Sequence, residues 1–420
     1  MSGLLPGRML EACFDRDTTT GTTMPRQPTT IAILTAMLFI NGCTAADTPG
    51  DAPAATPAPG RLVIVGGGLQ ADNAAVYQAV LEGRLGGGPL CVLPTAGADP
   101  MASMASATET LLGYTGPEGV KGIFLSTENP SDARSPEMAA DIASCSGFYF
   151  TGGVQSRVVD VFLPEDDTTL AYQALWQRWQ EGAVVAGSSA GAAMMSRVMI
   201  ASGGSADAVA NGVATNEDGD GVHIRGGMGF FDRAFLDQHF LARGRIGRLI
   251  VSVLVTDSLR VGLGIDENTA LVVDGDTAFV AGASGVVVVD GRQVAHAGPG
   301  RGTGLKVSLA GAGDALDLRT FEVRRAGTKV ALPANGEPAV LPDDPFARWA
   351  FLHLVVDLAS GLEGEAAFSI GDDSLGAATL TIRKDAGFSA AMTAREGGVE
   401  ETPAGLSAGP FEVDLVARGR

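Results

Sequence analysis

The stretch AVVAGSSAGAAMM, residues 183–195, decides how the chain is read. A short apolar run meets a Gly-Ser-Ser-Ala-Gly knot, and small residues at helical spacing follow. Gly187, Ser189 and Gly191 spell G-x-S-x-G, the pattern of a nucleophile elbow, in which a serine sits on a sharp turn between strand and helix. Such a turn strains the serine backbone and crowds the positions two residues away, so both must lack a bulky side chain. The helix that follows points its first amides at the serine, where a developing oxyanion can be stabilised. An ordinary strand-to-helix turn with two incidental serines fits the same letters, and the motif alone does not separate the two.

A serine hydroxyl is a weak nucleophile until a base takes its proton, and an imidazole suits neutral pH. The chain has four histidines, His223, His239, His296 and His353. His239 lies near the end of FDRAFLDQHF, which reads as a strand ending in polar residues, beside Asp237 and Gln238, and Arg243, Arg245 and Arg248 follow at the start of an expected helix, RGRIGRLIVSVL. Core packing does not explain that company. His296 lies in a Gly-rich stretch, His353 in the apolar run FLHLVV and His223 among acidic neighbours, so these three read as structural or exposed. Gly152-Gly153 ends the apolar run FYFT. An amide there, with that of Ala190, would make an oxyanion hole.

Working outward, the apolar runs RLVIVG, LCVLP, GIFLS, FYFTGG and AVVAG alternate with helix-length segments from residue 61. Short buried strands alternating with helices predict a parallel sheet covered on both faces, with catalytic groups at the carboxyl ends of the strands. Gly66-Gly67-Gly68 follows the first strand but lacks the G-x-G-x-x-G spacing of a dinucleotide turn. From about residue 269 the texture is β-rich, with Asp-Gly turns. Residues 61–345 read as the main domain and 346–420 as a separate small module of unknown role.

The 420 residues carry a net charge of −19 and no basic tract, which argues against nucleic acid as a partner. An acidic surface would draw a cationic substrate at long range, although plain solubility explains the charge as well. Residues 1–43 read as a targeting segment: Arg26 precedes the apolar run IAILTAMLFI, too short for a comfortable membrane span, and Ile40-Asn41-Gly42-Cys43 resembles a lipobox with Cys43 as the lipidated residue. Asn41 is unusual in that motif, so plain secretion stands as the alternative, and Met24 as an alternative start. Residues 44–60 form a Pro/Ala/Thr linker. Cys91 and Cys145 lie in or beside apolar runs and are expected as buried free thiols, a disulfide being the alternative in an exported protein. No metal-ligand spacing occurs, and no cofactor is expected.

Several motifs in order resemble the cyanophycinase branch of the S51 serine peptidases, relatives of dipeptidase E. They are VIVGGGLQ at 63–70, LPTAGADP at 93–100, FYFTGGVQSR at 148–157, GSSAGAA at 187–193, DQHFLARGRIGRL at 237–249 and GLGIDENTAL at 262–271. The resemblance covers roughly residues 60–300. It implies a flavodoxin-like, class I glutamine amidotransferase-like three-layer α/β core, with a small β-rich module added at the C-terminus. It also implies Ser189 as nucleophile, His239 as base and Glu267 as the acid, with Asp207, Glu217, Asp218 and Asp220 as rival acids. Gly153 and Ala190 would supply the oxyanion hole. Gln155, Asp237, Gln238, Arg243, Arg245 and Arg248 would line the substrate pocket. The implied activity is cleavage of cyanophycin, an aspartate backbone with arginine on each β-carboxyl, into β-Asp-Arg dipeptides. A dipeptidase acting on short aspartyl peptides and a surface lipoprotein that only binds are the rivals. The expected partners are that substrate, a membrane through the lipid anchor alone and, as an open alternative, a second copy of the chain.

Overall fold

The computed structural model describes residues 58–332, 336–371, 377–395, 398–399 and 405–417. The targeting segment with Cys43, and residues 44–57 of the linker, lie outside them.

Five short strands, β1 (Leu62–Val65), β2 (Leu90–Leu93), β3 (Val120–Gly122), β4 (Gly147–Phe150) and β5 (Val184–Ser188), pair in parallel in the order β1-β5-β4-β2-β3. All but β3 are apolar and buried along most of their length, as strands covered on both faces must be. Period-2 alternation sends Val63 and Val65 to one face and Leu62 and Ile64 to the other. Helices Ala74–Glu82 and Pro100–Thr115 pack on the first face through Val76, Tyr77, Val80 and Leu111. Helices Pro136–Ala143, Gln155–Phe162 and Leu170–Gln180 pack on the second through Ile142, Phe162 and Leu175.

Handedness explains this division. The chain runs outward from β1 to β2 and β3, then returns through β4 to β5, and right-handed crossovers in opposite directions place their helices on opposite faces. β1 and β5 therefore end side by side while the loops leaving them diverge. That divergence opens a crevice at the carboxyl end of the sheet. Four antiparallel strands, Thr269–Asp274, Thr277–Gly282, Ala315–Asp317 and Val323–Arg324, extend the sheet beyond β1.

The expected separate module at 346–420 is not separate. Strands Ala378–Arg395 and Ser407–Ala417 continue a ten-stranded sheet that runs through Arg301–Gly311, Gly285–Asp290 and Val261–Ile265 to Phe235–Asp237. The reason is that Ser407–Ala417 alternates buried and half-buried residues: its backbone pairs with Arg301–Gly311, and its apolar face, Phe411, Val413 and Leu415, packs into the core shared with Val251 and Phe351. Ile382, Phe411 and Val413 share one core with Val287, Val289 and Phe351. Helix Ile246–Val255 is buried from Ile246 to Leu254 beneath the same sheet, Arg248 and Ser252 included.

The two buried cysteines are not free thiols. Cys91 and Cys145 form a disulfide with a Cα–Cα distance of 5.8 Å. The link joins β2 to the entry of β4, which are neighbours in the sheet although 54 residues separate the cysteines. Among the described residues no helix is long and apolar enough to cross a membrane.

Candidate active site

The elbow leaves β5 at Ser188, and Ser189 adopts φ 56°, ψ −113°, a region that costs a non-glycine residue on the order of 1–3 kcal/mol. The flanking glycines are steric necessities. A Cβ on Gly187 would lie 2.2 Å from the Gly191 carbonyl oxygen, and one on Gly191 would lie 2.5 Å from that of Phe150. The Ser189 amide donates to Val65 O on β1 at 2.9 Å, which fixes the elbow to the neighbouring strand. A short helix, Ala190–Ala193, follows.

His239 leaves strand Phe235–Asp237 and reaches the elbow across the β1 loop. Its backbone is also in the left-handed region, at φ 48°. Its amide donates to Gly66 O at 2.6 Å. Asp266, fully buried, holds the following turn from below: Oδ1 accepts from the Leu241 and Ala242 amides, each at 3.0 Å, and Oδ2 accepts from Ser284 Oγ at 2.6 Å. The imidazole is thereby placed with Nε2 2.9 Å from Ser189 Oγ and Nδ1 2.7 Å from Glu267 Oε1. With the proton on Nδ1, the ring donates to Glu267 and accepts from the serine. Burial holds His239 below its ordinary value of 6.5; Glu267 opposes that shift, and the charges of Arg243 and Arg245 add to it. The ring is therefore neutral at pH 7 and able to accept a proton.

Glu267 stands on the turn between strands Val261–Ile265 and Thr269–Asp274, not within a strand. Its neighbour Asn268, at φ 52°, donates its amide to Gly67 O at 2.8 Å and accepts from Asn73 Nδ2 at 2.8 Å through Oδ1. The rival acids lie elsewhere. Glu217 accepts from Ser156 Oγ and pairs with Arg225 at 3.6 Å, while Asp207, Asp218 and Asp220 are exposed.

Gly152 and Gly153 follow β4 beside the elbow. The Cβ position of Gly152 is 3.8 Å from Ser189 Oγ, and Gly153, at φ 143°, is pressed so closely on Ala96 that a Cβ would lie 1.9 Å from its carbonyl oxygen. Among the described residues no backbone carbonyl accepts from the Gly153 or Ala190 amide.

The expected pocket residues divide into two groups. Arg248 and Asp237 are used by the fold. Arg248 is 4% exposed; its Nε donates to Asp237 Oδ2 at 2.8 Å, its Nη2 to Oδ1, and its Nη1 to Gly203 O at 2.7 Å. Burial alone would raise the Asp237 carboxyl, but Arg248 and Arg245 hold it below the usual carboxylate range. Arg245 donates to Gln238 O at 2.7 Å and lies 3.4 Å from Asp237. The three-residue spacing of Arg245 and Arg248 thus brings both to one buried carboxylate, contrary to the expectation of two substrate ligands. Gln155 is likewise committed, its Nε2 donating to the Ile200 and Ala201 carbonyls at 2.9 and 2.6 Å. The second group remains at the site. Gln238 Oε1 is 3.5 Å from Ser189 Oγ. Arg243 is exposed, next to His239, and has no side-chain partner among the described residues.

Three supports went unread in the sequence: Asp266, the Asn73–Asn268 pair, and Ser205, whose hydroxyl donates to Gly244 O at 2.6 Å. Only Asp266 carried a signal, as a charged residue directly after the apolar strand Val261–Ile265.

Comparison with known proteins identifies the family. The model of peptidase family S51 matches residues 62–281, which include Ser189, His239 and Glu267. The cyanophycinase of Synechococcus elongatus is 33% identical over 216 residues, covering 49% of this chain and 63% of that protein. The cyanophycinase of Trichormus variabilis is 30% identical over 239 residues, covering 56% and 75%. The chain thus spans less than two thirds of the first of these relatives. A solved peptidase from an acI-B1 Actinobacterium aligns over 62% of this chain and 98% of its own at 20% identity, with a TM-score of 0.45.

Proposed function

The chain belongs to peptidase family S51, and from that premise we propose that it is an exported serine peptidase that hydrolyses cyanophycin to β-Asp-Arg dipeptides. The observation that carries the reading is the unbroken hydrogen-bond chain Ser189–His239–Glu267, at 2.9 and 2.7 Å, on a strained elbow. Ser189 Oγ attacks the scissile carbonyl as His239 Nε2 takes its proton. Glu267 holds the Nδ1 tautomer and stabilises the imidazolium. The carbonyl oxygen, now an oxyanion, is held by the Gly153 and Ala190 amides. His239 then returns the proton to the leaving amine, and water repeats the sequence on the acyl-enzyme.

The substrate reading is supported by the relatives, which are cyanophycinases. Arg243, exposed and without a side-chain partner among the described residues, is a cation open to a substrate carboxylate, and the net charge of −19 favours a polymer rich in guanidinium groups. Export is supported by the Cys91–Cys145 disulfide, since such bonds persist in oxidising compartments. Cys43 is the proposed site of a lipid anchor. The test is incubation of the purified chain with cyanophycin, with released dipeptide read by mass spectrometry. Release by the native chain and none by Ser189→Ala supports the reading. Cleavage of short aspartyl peptides with the polymer left intact would assign the dipeptidase activity instead.

A further inference from the structure

We propose that the segment Phe346–Trp349, beyond the family-matched residues, is a positioning device that braces the turn carrying His239. The proposal rests on the reading above only in giving His239 a catalytic role.

The turn from His239 to the helix at Ile246 contains a glycine at position 244, and another follows inside the helix at 247. Both sit where the C-terminal region presses on them. Gly244 has φ 56°, and a Cβ there would lie 1.8 Å from the Phe346 carbonyl oxygen. A Cβ on Gly247 would lie 2.8 Å from the Phe346 ring and 2.9 Å from Ser205 Cβ. The Trp349 amide donates to Leu241 O at 2.9 Å, two residues past the histidine. Ser205 Oγ also accepts from the Gly247 amide at 3.1 Å and donates to Gly244 O. Ser205 and Phe346 therefore both hold the bend.

The grip is itself anchored. The Phe346 amide donates to Asp344 Oδ1 at 2.8 Å, which sets the approach of the segment. Helix Ala350–Ser360 then buries Phe351, Leu352, Leu354 and Val355 in the core that also holds Phe240 and Leu241, the residues after His239. A histidine held at φ 48° needs its surroundings to over-determine that conformation. Asp266 fixes the turn from the sheet side, and Phe346 and Trp349 fix it from the C-terminal side. This gives residues 346–420 a part in the site although none of them lies in the matched region.

The test uses the full chain carrying Phe346→Ala, with Phe346→Leu as the conservative variant. Two readouts apply: the titration midpoint of His239 by NMR, assigned with His239→Gln, and kcat/KM on an activated ester. The groups acting on the imidazole are Glu267, Arg243 and Arg245, and burial is the largest influence. Loosening the brace admits water, so the midpoint should rise toward the ordinary 6.5. Ester kcat should fall about tenfold with KM little changed, within the range that a displacement of a catalytic group causes. Phe346→Leu should restore both. A folded Phe346→Ala with only a lower Tm, its midpoint and kcat unchanged, would overturn the proposal. If that variant does not fold, Gly247→Ala wedges the same contact and must give the same two shifts; no shift there also overturns it. The NMR readout needs no turnover, so an inactive native chain would sink the functional reading while leaving the brace testable.

Discussion

Gly67 lies directly beneath the His239 imidazole: a Cβ on that glycine would stand 2.3 Å from both Cε1 and Nε2 of the ring. The three-glycine turn after β1 is thus the seat on which the histidine rests, and the missing side chain makes room for the atom that faces Ser189. Gly67 also has φ 100°, where L side chains are strained. Gly67→Ala should lower kcat/KM by at least about a hundredfold by displacing the ring. Ester kinetics alongside a thermal melt check it: the variant stays folded while activity is lost.

The ionisation of His239 gives the pH dependence a definite sign. Its folded value lies below 6.5, so the acid limb of kcat/KM should fall below that pH. Arg243 is exposed and contributes to the depression, so Arg243→Gln should move the limb upward, by less at high salt. The same shift bears on stability. The unfolded chain binds this proton more readily, so the contribution is fully present above pH 6.5 and is lost as pH falls through the window below it. A pH–rate profile at two ionic strengths decides the matter, and a limb that does not respond to Arg243→Gln would contradict it.

The two kinds of arginine should separate in mutagenesis. Arg248→Met leaves Asp237 as a buried charge with its main partner removed, a change that costs roughly 3–5 kcal/mol. Arg243→Gln breaks no contact among the described residues and should leave denaturant unfolding almost unmoved while impairing substrate use. Equal destabilisation by the two would contradict the division drawn between them.

Replacing both Cys91 and Cys145 by Ala should lower stability by about 2–4 kcal/mol, because the bond closes a long loop in the unfolded chain. The disulfide lies in the sheet core and does not touch the elbow, so kcat on an activated ester should hold. Thiol titration of the unreduced protein should find neither cysteine free.

The sequence showed those features whose constraints are local. Gly187 and Gly191 must be glycine because backbone passes within a side chain's reach, and that demand is written in five consecutive letters. His239 stood out because a histidine beside Asp237, Gln238 and three arginines has no packing reason. What stayed hidden depends on pairing between distant segments. The cysteines looked solitary because β2 and β4 become neighbours only after the chain has run out to β3 and returned. Asp237 and Arg248 looked like pocket residues because their composition fits a polar site, and only the fold shows that they satisfy each other. Residues 346–420 looked independent because alternation marks a strand without naming the strand it joins.

The central claim is that Ser189, activated by His239 and Glu267, cuts cyanophycin. The most direct measurement is the mass-spectrometric yield of β-Asp-Arg from purified cyanophycin for the native chain and for Ser189→Ala at matched concentration. The account predicts steady dipeptide release by the native chain and a loss of several orders of magnitude in the variant, since removing a triad nucleophile costs on the order of a million-fold in a serine protease. Dipeptide release by Ser189→Ala at more than a few per cent of the native rate, or none by the native chain, would contradict it.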